Sequence, residues 1–140
     1  MSVEQNKAVV RRFVNEVLSG HDLAVLEAIL RDDYVDHDPG NIQGEPVGIE
    51  GAKQDVIAFV TGLPDMRVSI DDLIGEGDYV TLRGVLEGTH KGELFGIPPT
   101  GKAIQVSAMQ MYRLVDGRIA EAWLELDRVG MMQQLGVMPG

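Results

Sequence analysis

The chain contains no cysteine. Disulfides, thiol chemistry and cysteine-ligated metal sites are therefore excluded. Histidine is scarce: His21, His37 and His90 are widely separated and show no i, i+4 pair that could close on a metal. Positive charge is also short, with 12 Lys+Arg against 22 Asp+Glu and a formal net charge of −10. That balance argues against nucleic acid and anionic membrane surfaces as partners, because both are bound through basic patches. No apolar run approaches the roughly 20 residues of a membrane span. The opening MSVEQNKAVVRR has an early acid and no apolar h-region, unlike a secretory leader. The expectation is a cytoplasmic protein with no membrane association.

What the chain does have suits one globular domain, residues 1–140. A chain of this size buries roughly two-thirds of the surface that its unfolded form exposes, enough for one core. Val9, Val10, Phe13, Val14, Val17 and Leu18 form an apolar stripe at helical spacing across residues 3–18. Ser19-Gly20 ends it, with Gly20 suited to a left-handed closing residue. Asp22 can cap a second helix with Leu23, Leu26, Ile29 and Leu30 inward. The run DDYVDHDPG breaks the helical pattern, and Asp38-Pro39-Gly40 is turn chemistry. A third helix is predicted over 49–61, with Ala52, Val56, Ile57 and Val60 inward and Gly62 and Pro64 as stops.

Four β-segments follow. Met66, Val68 and Ile70 alternate with polar residues, and further strands are predicted over 79–89, 104–115 and 118–126. Asp116-Gly117 between the last two is a strong hairpin signal. Residues 127–136 read as a short final helix. Helices first and an antiparallel sheet afterwards make the fold class α+β. If Asp116-Gly117 is a plain two-residue loop, Arg113 faces Ala120, Met111 faces Ala122 and Met109 faces Leu124. The opposite face then carries Gln110, Tyr112, Glu121, Trp123 and Glu125. The Met109/Met111/Leu124 face reads either as core beneath the helices or as the wall of an apolar cavity. The face with Trp123 and Tyr112 reads as solvated or as a subunit contact.

The ordered segments NKAVVRRFVNEVLSG, DYVDHDP, LPDMRVSIDDLIGEGDYVTLRG, GTHKGELFGIPPTGK and YRLVDGRIAEAWLELDRVGMMQQLG span most of the chain. Together they resemble the SnoaL-like polyketide cyclases, also called predicted ester cyclases, of the nuclear-transport-factor-2-like superfamily. The resemblance implies a cone-shaped, strongly curved antiparallel sheet covered by three N-terminal helices, plus a short C-terminal helix. It implies a ligand cavity inside the cone, a small apolar ligand or substrate, a homodimer through the sheet, no metal and no organic cofactor. It also implies polyketide cyclase-type acid/base chemistry on a small apolar carbonyl compound, an intramolecular aldol step. The alternatives are a non-catalytic small-molecule-binding dimer, or an isomerase or epoxide hydrolase on the same fold. In one departure from the family pattern, Ala122 stands before Trp123 where relatives commonly carry His or another polar residue.

Two residues are candidates for proton transfer. Asp127, between the last strand and the final helix, is either the helix N-cap or a cavity-rim base. His37, in YVDHDP, is either a surface histidine in an acidic loop or a pocket proton carrier. Phe13, His90, Met109, Met111, Trp123 and Leu124 are the candidate substrate-binding residues, although His90 reads equally as a loop histidine holding backbone. Arg83 is expected to pair with Glu87, or else to reach a ligand oxyanion. Phe95 and Ile97 are candidates for the cavity mouth. No phosphate loop or Ser-His-Asp order is present.

Overall fold

The computed structural model describes residues 2–37 and 47–139. Within them the chain forms helix α1 (Val3–Arg12), continued by a π-helical turn (Phe13–Leu18), then α2 (Leu23–Ile29) and strand β1 (Leu30–Asp36). Helix α3 (Ile49–Gly62), strands β2 (Arg67–Glu76), β3 (Tyr79–Thr89), β4 (Ala103–Val115) and β5 (Arg118–Leu126), and helix α4 (Arg128–Leu135) complete it. The sheet is curved and unclosed, in the order β1-β5-β4-β3-β2, and the helices cover one face. The expected α+β class and the curved sheet are found. The turn expected at Asp38-Pro39-Gly40 lies outside the described residues.

Three expectations need correction. First, the sheet has a fifth strand. DDYVD, read as a break, belongs to β1, which runs parallel to β5 at the sheet edge. Its Asp32 and Asp33 are exposed, a composition that suits an edge and hides the strand from a hydrophobic pattern. Second, the left-handed residue after the first helix is His21 (φ 60), not Gly20. Gly20 is required by space instead, because a methyl there would lie 2.5 Å from the Glu16 carbonyl oxygen.

Third, the β4–β5 register changes one step from the turn. Asp116 (φ 50) and Gly117 (φ 78) are both left-handed, as a type I′ hairpin requires. Val115 pairs with Arg118 and Leu114 with Ile119, but Arg113 pairs with Glu121. Ala120 is thus the extra residue of a bulge. Ile119 and Ala120 are both buried, which strict alternation forbids and a bulge permits. Every later pair shifts: Tyr112 faces Ala122, Met111 faces Trp123, Gln110 faces Leu124 and Met109 faces Glu125. Gln110, Tyr112, Ala122 and Leu124 therefore share the helix-covered face, and Met109 and Met111 lie on the other.

The core forms where the helical stripe meets the covered face. Val10, Val14, Val17 and Leu26 from the helical layer pack with Leu30, Val80, Leu82, Leu114 and Ile119 of the sheet, all essentially without solvent contact. Phe13 meets Tyr112 edge-on at 5.9 Å. The end of the first helix is tied to β2: Ser19 Oγ accepts the Val68 amide at 3.0 Å, and His21 Nε2 lies 3.0 Å from the Met66 carbonyl oxygen.

The closest approach in the sheet lies at a second irregularity, where the β2–β3 register shifts between Ile70 and Asp72. A methyl on Gly84 would sit 2.3 Å from the Ser69 carbonyl oxygen. Gly84→Ala should therefore lower unfolding stability by about 1–3 kcal/mol, as measured by urea denaturation. Unchanged stability would show that the strands can separate there without loss.

Candidate active site

A cavity of about 100 Å³ lies between the covered face of the sheet and the helices. One ordered water needs about 10–15 Å³ on that scale, so there is room for several waters or a small organic group. Phe13 and Leu26 enter it from the first two helical elements, Ala52, Asp55, Val56 and Phe59 from α3, and Ala122, Leu124 and Leu126 from β5. Its surface is mostly apolar. The polar exceptions include Tyr34, Asp36, Asp55, Gln110 and Tyr112.

Tyr34 and Asp36 are two apart on β1 and so project to the same face. Tyr34 is buried, and its hydroxyl donates to the Asp36 carboxylate. Burial, then the Asp36 charge, pushes the Tyr34 phenol well above its usual pKa, with Asp55 adding in the same direction. Burial, then Asp36, also pushes Tyr112 upward. Both phenols therefore stay protonated near neutral pH and serve as hydrogen-bond donors. Tyr112 donates to Gln110 Oε1, which fixes the orientation of that amide. The site thus joins carboxylates to neutral donors in an apolar enclosure. Among the described residues no Lys, Arg or His contributes to the lining.

The residues singled out from the sequence are spread over several places. Phe13, Trp123 and Leu124 line the cavity, whereas Met109 and Met111 lie on the outer face, with Met109 52% exposed. Asp127 is exposed and caps α4: its carboxylate accepts the Gly130 amide at 2.8 Å. His90 is fully buried in the β3–β4 connection, outside the cavity lining, where its Nδ1 lies 3.0 Å from Thr100 Oγ1 and accepts the Thr100 amide. Arg83 pairs with Asp72 at 2.6 Å rather than with Glu87, whose partner is Arg67. Phe95 packs edge-on against the cavity residue Phe59 at 5.3 Å, and the Arg128 guanidinium lies over its ring.

His37 is on the outer face. Its Nε2 is 2.7 Å from Glu121 Oε2, and its ring stacks on Trp123 at 5.0 Å. Arg113 donates to the other Glu121 oxygen at 2.5 Å. Tyr79 borders the same Trp123 ring at 6.4 Å.

Sequence reasoning missed Tyr34, Asp36, Asp55, Gln110 and Tyr112 as cavity groups. Two signals were available. Alternation through DYVD places Tyr34 and Asp36 on one face, and Asp55 falls inside the α3 stripe Ala52-Val56-Phe59 at helical spacing. Among the described residues no group of three or more His, Cys, Asp or Glu is placed to hold a metal ion. No helix of the described residues is long and apolar enough to cross a membrane.

The profile of the SnoaL-like polyketide cyclases matches residues 8–135. The chain belongs to the SnoaL-like polyketide cyclase family. Within that family's range it is 29% identical to aklanonic acid methyl ester cyclase DauD of Streptomyces sp. (strain C5), over 91% of this chain and 80% of DauD. Among solved structures, IdmH, a candidate polyketide cyclase from Streptomyces antibioticus, superposes with a TM-score of 0.84 at 34% identity, covering 95% of this chain and 99% of IdmH. TsrD of Streptomyces laurentii superposes with a TM-score of 0.87 at 25% identity, over 99% of each chain. SnoaL-like membership accounts for the curved, unclosed sheet and its helical cover.

The outer-face cluster carries a pH signature. The hydrogen bond from His37, then that from Arg113, holds the Glu121 carboxyl below its usual range. A carboxyl with a depressed folded pKa stabilises fully above its unfolded value. That contribution is lost as pH falls through the lower folded value. Glu121→Gln should therefore flatten the dependence of stability on pH between about pH 5 and about pH 3, read as unfolding midpoints against the parent. Parallel curves for the two proteins would remove Glu121 from the acid response.

Proposed function

We propose that this protein is a cyclase-type enzyme that removes an activated carbon-bound proton from a small, neutral carbonyl compound. Asp36 is the general base, oriented by the Tyr34 hydroxyl that donates to it, and the emerging enolate oxygen is met by the Gln110 amide. Tyr112 sets the Gln110 amide by holding its carbonyl end. The pairing of Asp36 with Tyr34 inside a mostly apolar cavity carries the reading. A carboxylate held by a neutral donor within such walls is aimed at a substrate carbon away from bulk water, and a preorganised donor acts on charge as it develops. Aldol closure then needs only that the enolate carbon be held against a second carbonyl of the same molecule. Base and donors are all side chains of this chain, so the reaction as proposed uses no organic cofactor.

Neutrality of the substrate follows from the lining. Asp36 and Asp55 line the cavity and, among the described residues, no cationic side chain does, so an anionic ligand would lose its hydration and meet like charge. DauD is named for a methyl ester, in which an acid group is masked without charge. The competing reading is binding without turnover. Ala122 favours it, being a methyl in the wall where a proton-handling group would fit.

A reporter independent of the natural substrate separates these readings. Nitrobenzisoxazole is small, neutral and opened by removal of one carbon-bound proton, giving a coloured phenolate. The protein should accelerate that opening, and Asp36→Asn should lower the rate roughly 10²–10⁴-fold. Asp127→Asn, which keeps a helix cap, should leave it unchanged. A parent protein that binds the reporter without opening it would establish the binding reading.

The protein is further proposed to pair as a homodimer through the outer sheet face. Exposed Tyr79 and Met109 flank Trp123 and Met111 there, the aromatic and Met composition of interface cores. Native mass spectrometry should give twice the chain mass, and Met109→Lys should shift it towards the single chain. A parent at single-chain mass at micromolar concentration would refute the pairing.

A further inference from the structure

Asp36 is the last residue of the edge strand β1. β1 is matched to β5 at Leu30–Ile119, Val35–Glu121 and Asp36–Ala122, with an irregularity between the first two. Just beyond Asp36 the His37 amide donates to the Ala122 carbonyl oxygen at 2.8 Å. On the other side, Asp36 exchanges backbone bonds with Val47, at 2.8 and 3.2 Å. The end of an edge strand opens more readily than the middle of a sheet. A general base, however, must be held to within about 0.5 Å of productive geometry.

The His37 side chain adds a restraint from the opposite face. Asp36 projects into the cavity over Ala122, and His37 projects outward over the two residues that flank Ala122. Its Nε2 engages Glu121 at 2.7 Å, and its ring lies nearly parallel to Trp123, 16° from coplanar at 5.0 Å. Glu121 is in turn held by Arg113 of β4, and Trp123 is bordered by Tyr79 of β3. Each partner of the imidazole is thus braced by a different strand. Asp36, the last residue of β1, and His37 just after it grip β5 at Ala122 from both faces.

We infer that His37 is a positioning residue for Asp36, acting through its clamp on Glu121 and Trp123 from outside the cavity and without touching substrate. The inference rests on the reading of Asp36 as the base. It departs from a proton-carrying role for His37, because the imidazole faces away from the reacting groups. A histidine that carried the proton would have to reach the cavity; one that positions has only to stay where it is.

The test uses the full-length protein and the nitrobenzisoxazole reaction. His37→Ala should lower the saturating rate about 10–100-fold, the usual effect of misplacing a catalytic group by about an ångström. The half-saturation concentration should change by less than about threefold, because the cavity walls are untouched. His37→Gln, which retains a donor for Glu121, should recover most of the lost rate. In both variants the midpoint of the acid limb should stay where it is in the parent, since the titrating base is still Asp36. Glu121→Gln should reproduce a part of the His37→Ala loss, and it keeps the test open if His37→Ala fails to fold.

Three results would overturn the inference. One is an unchanged saturating rate in folded His37→Ala. Another is a loss confined to half-saturation. The third is an acid-limb midpoint that moves in both His37 variants with no rescue by Gln, which would make His37 a proton carrier. Asp36→Asn identifies a failure of the underlying reading. If that variant keeps the parent rate, the base is elsewhere and the positioning role falls with it. If Asp36→Asn is inactive while His37→Ala is unchanged, only the positioning role is lost.

Discussion

Side-chain alternation across the β4–β5 hairpin, interrupted once at Ala120, decides what the cavity is made of. A strand has only two faces, so one extra residue transfers every later side chain to the opposite side. The bulge brings Ala122, Leu124 and Leu126 to the helix-covered face and turns Glu121 and Glu125 outward, while Trp123 both borders the cavity and stacks on His37. Across the pair, Gln110 and Tyr112 become cavity groups, and Met109 and Met111 become surface. The same choice extends to β1, because its pairing with β5 sets Asp36 beside Ala122 and leaves His37 with Glu121 and Trp123. Cavity chemistry and outer cluster are two sides of one register.

Within the cavity, burial and charge act on different groups to one end. Apolar walls raise Tyr34 and Tyr112 and keep them as donors. A lining that holds carboxylates and, among the described residues, no Lys, Arg or His makes the space inhospitable to anions. Outside the cavity the carboxylates are treated differently. Glu121 is held by His37 and Arg113, and Asp65 accepts both the amide and the hydroxyl of Thr89, at 2.7 and 2.8 Å. The acidic residues of the chain thus divide between the cavity lining and local ion pairs and hydrogen bonds.

The strands β3 and β5, the helix over 49–62 and the Asp116-Gly117 turn were legible because each writes its signal locally, as period, cap or turn residue. The family was legible because its segments occur in order along the chain. The bulge at Ala120 was not, since an Ile-Ala pair in a strand gives no local sign that both residues will be buried. β1 was not legible either: an edge strand with Asp32 and Asp33 facing solvent has the composition of a loop. These two omissions account for the misplacement of the site. With strict alternation Met109 and Met111 face the helices, and with no β1 there is no route by which Asp36 reaches the cavity. Asp127 shows the converse case, in which the ordinary reading of an Asp before a helix as its cap describes its bonds in the structure.

The parallel pairing of β1 with β5 also bears on the order of events in folding. His37 and Glu121 meet although they are 84 residues apart in the chain. Contacts this distant are favoured only after the intervening chain has been organised, because closing a long loop costs entropy before any contact repays it. Helices α1 to α3 and the β2–β3 hairpin can all form from nearer neighbours. A chain emerging from the ribosome therefore cannot make the β1–β5 pairing until β5 has been added. Asp36 takes its place beside Ala122 only when the penultimate element is complete, so this edge of the cavity is assembled late and is tied to the integrity of the sheet.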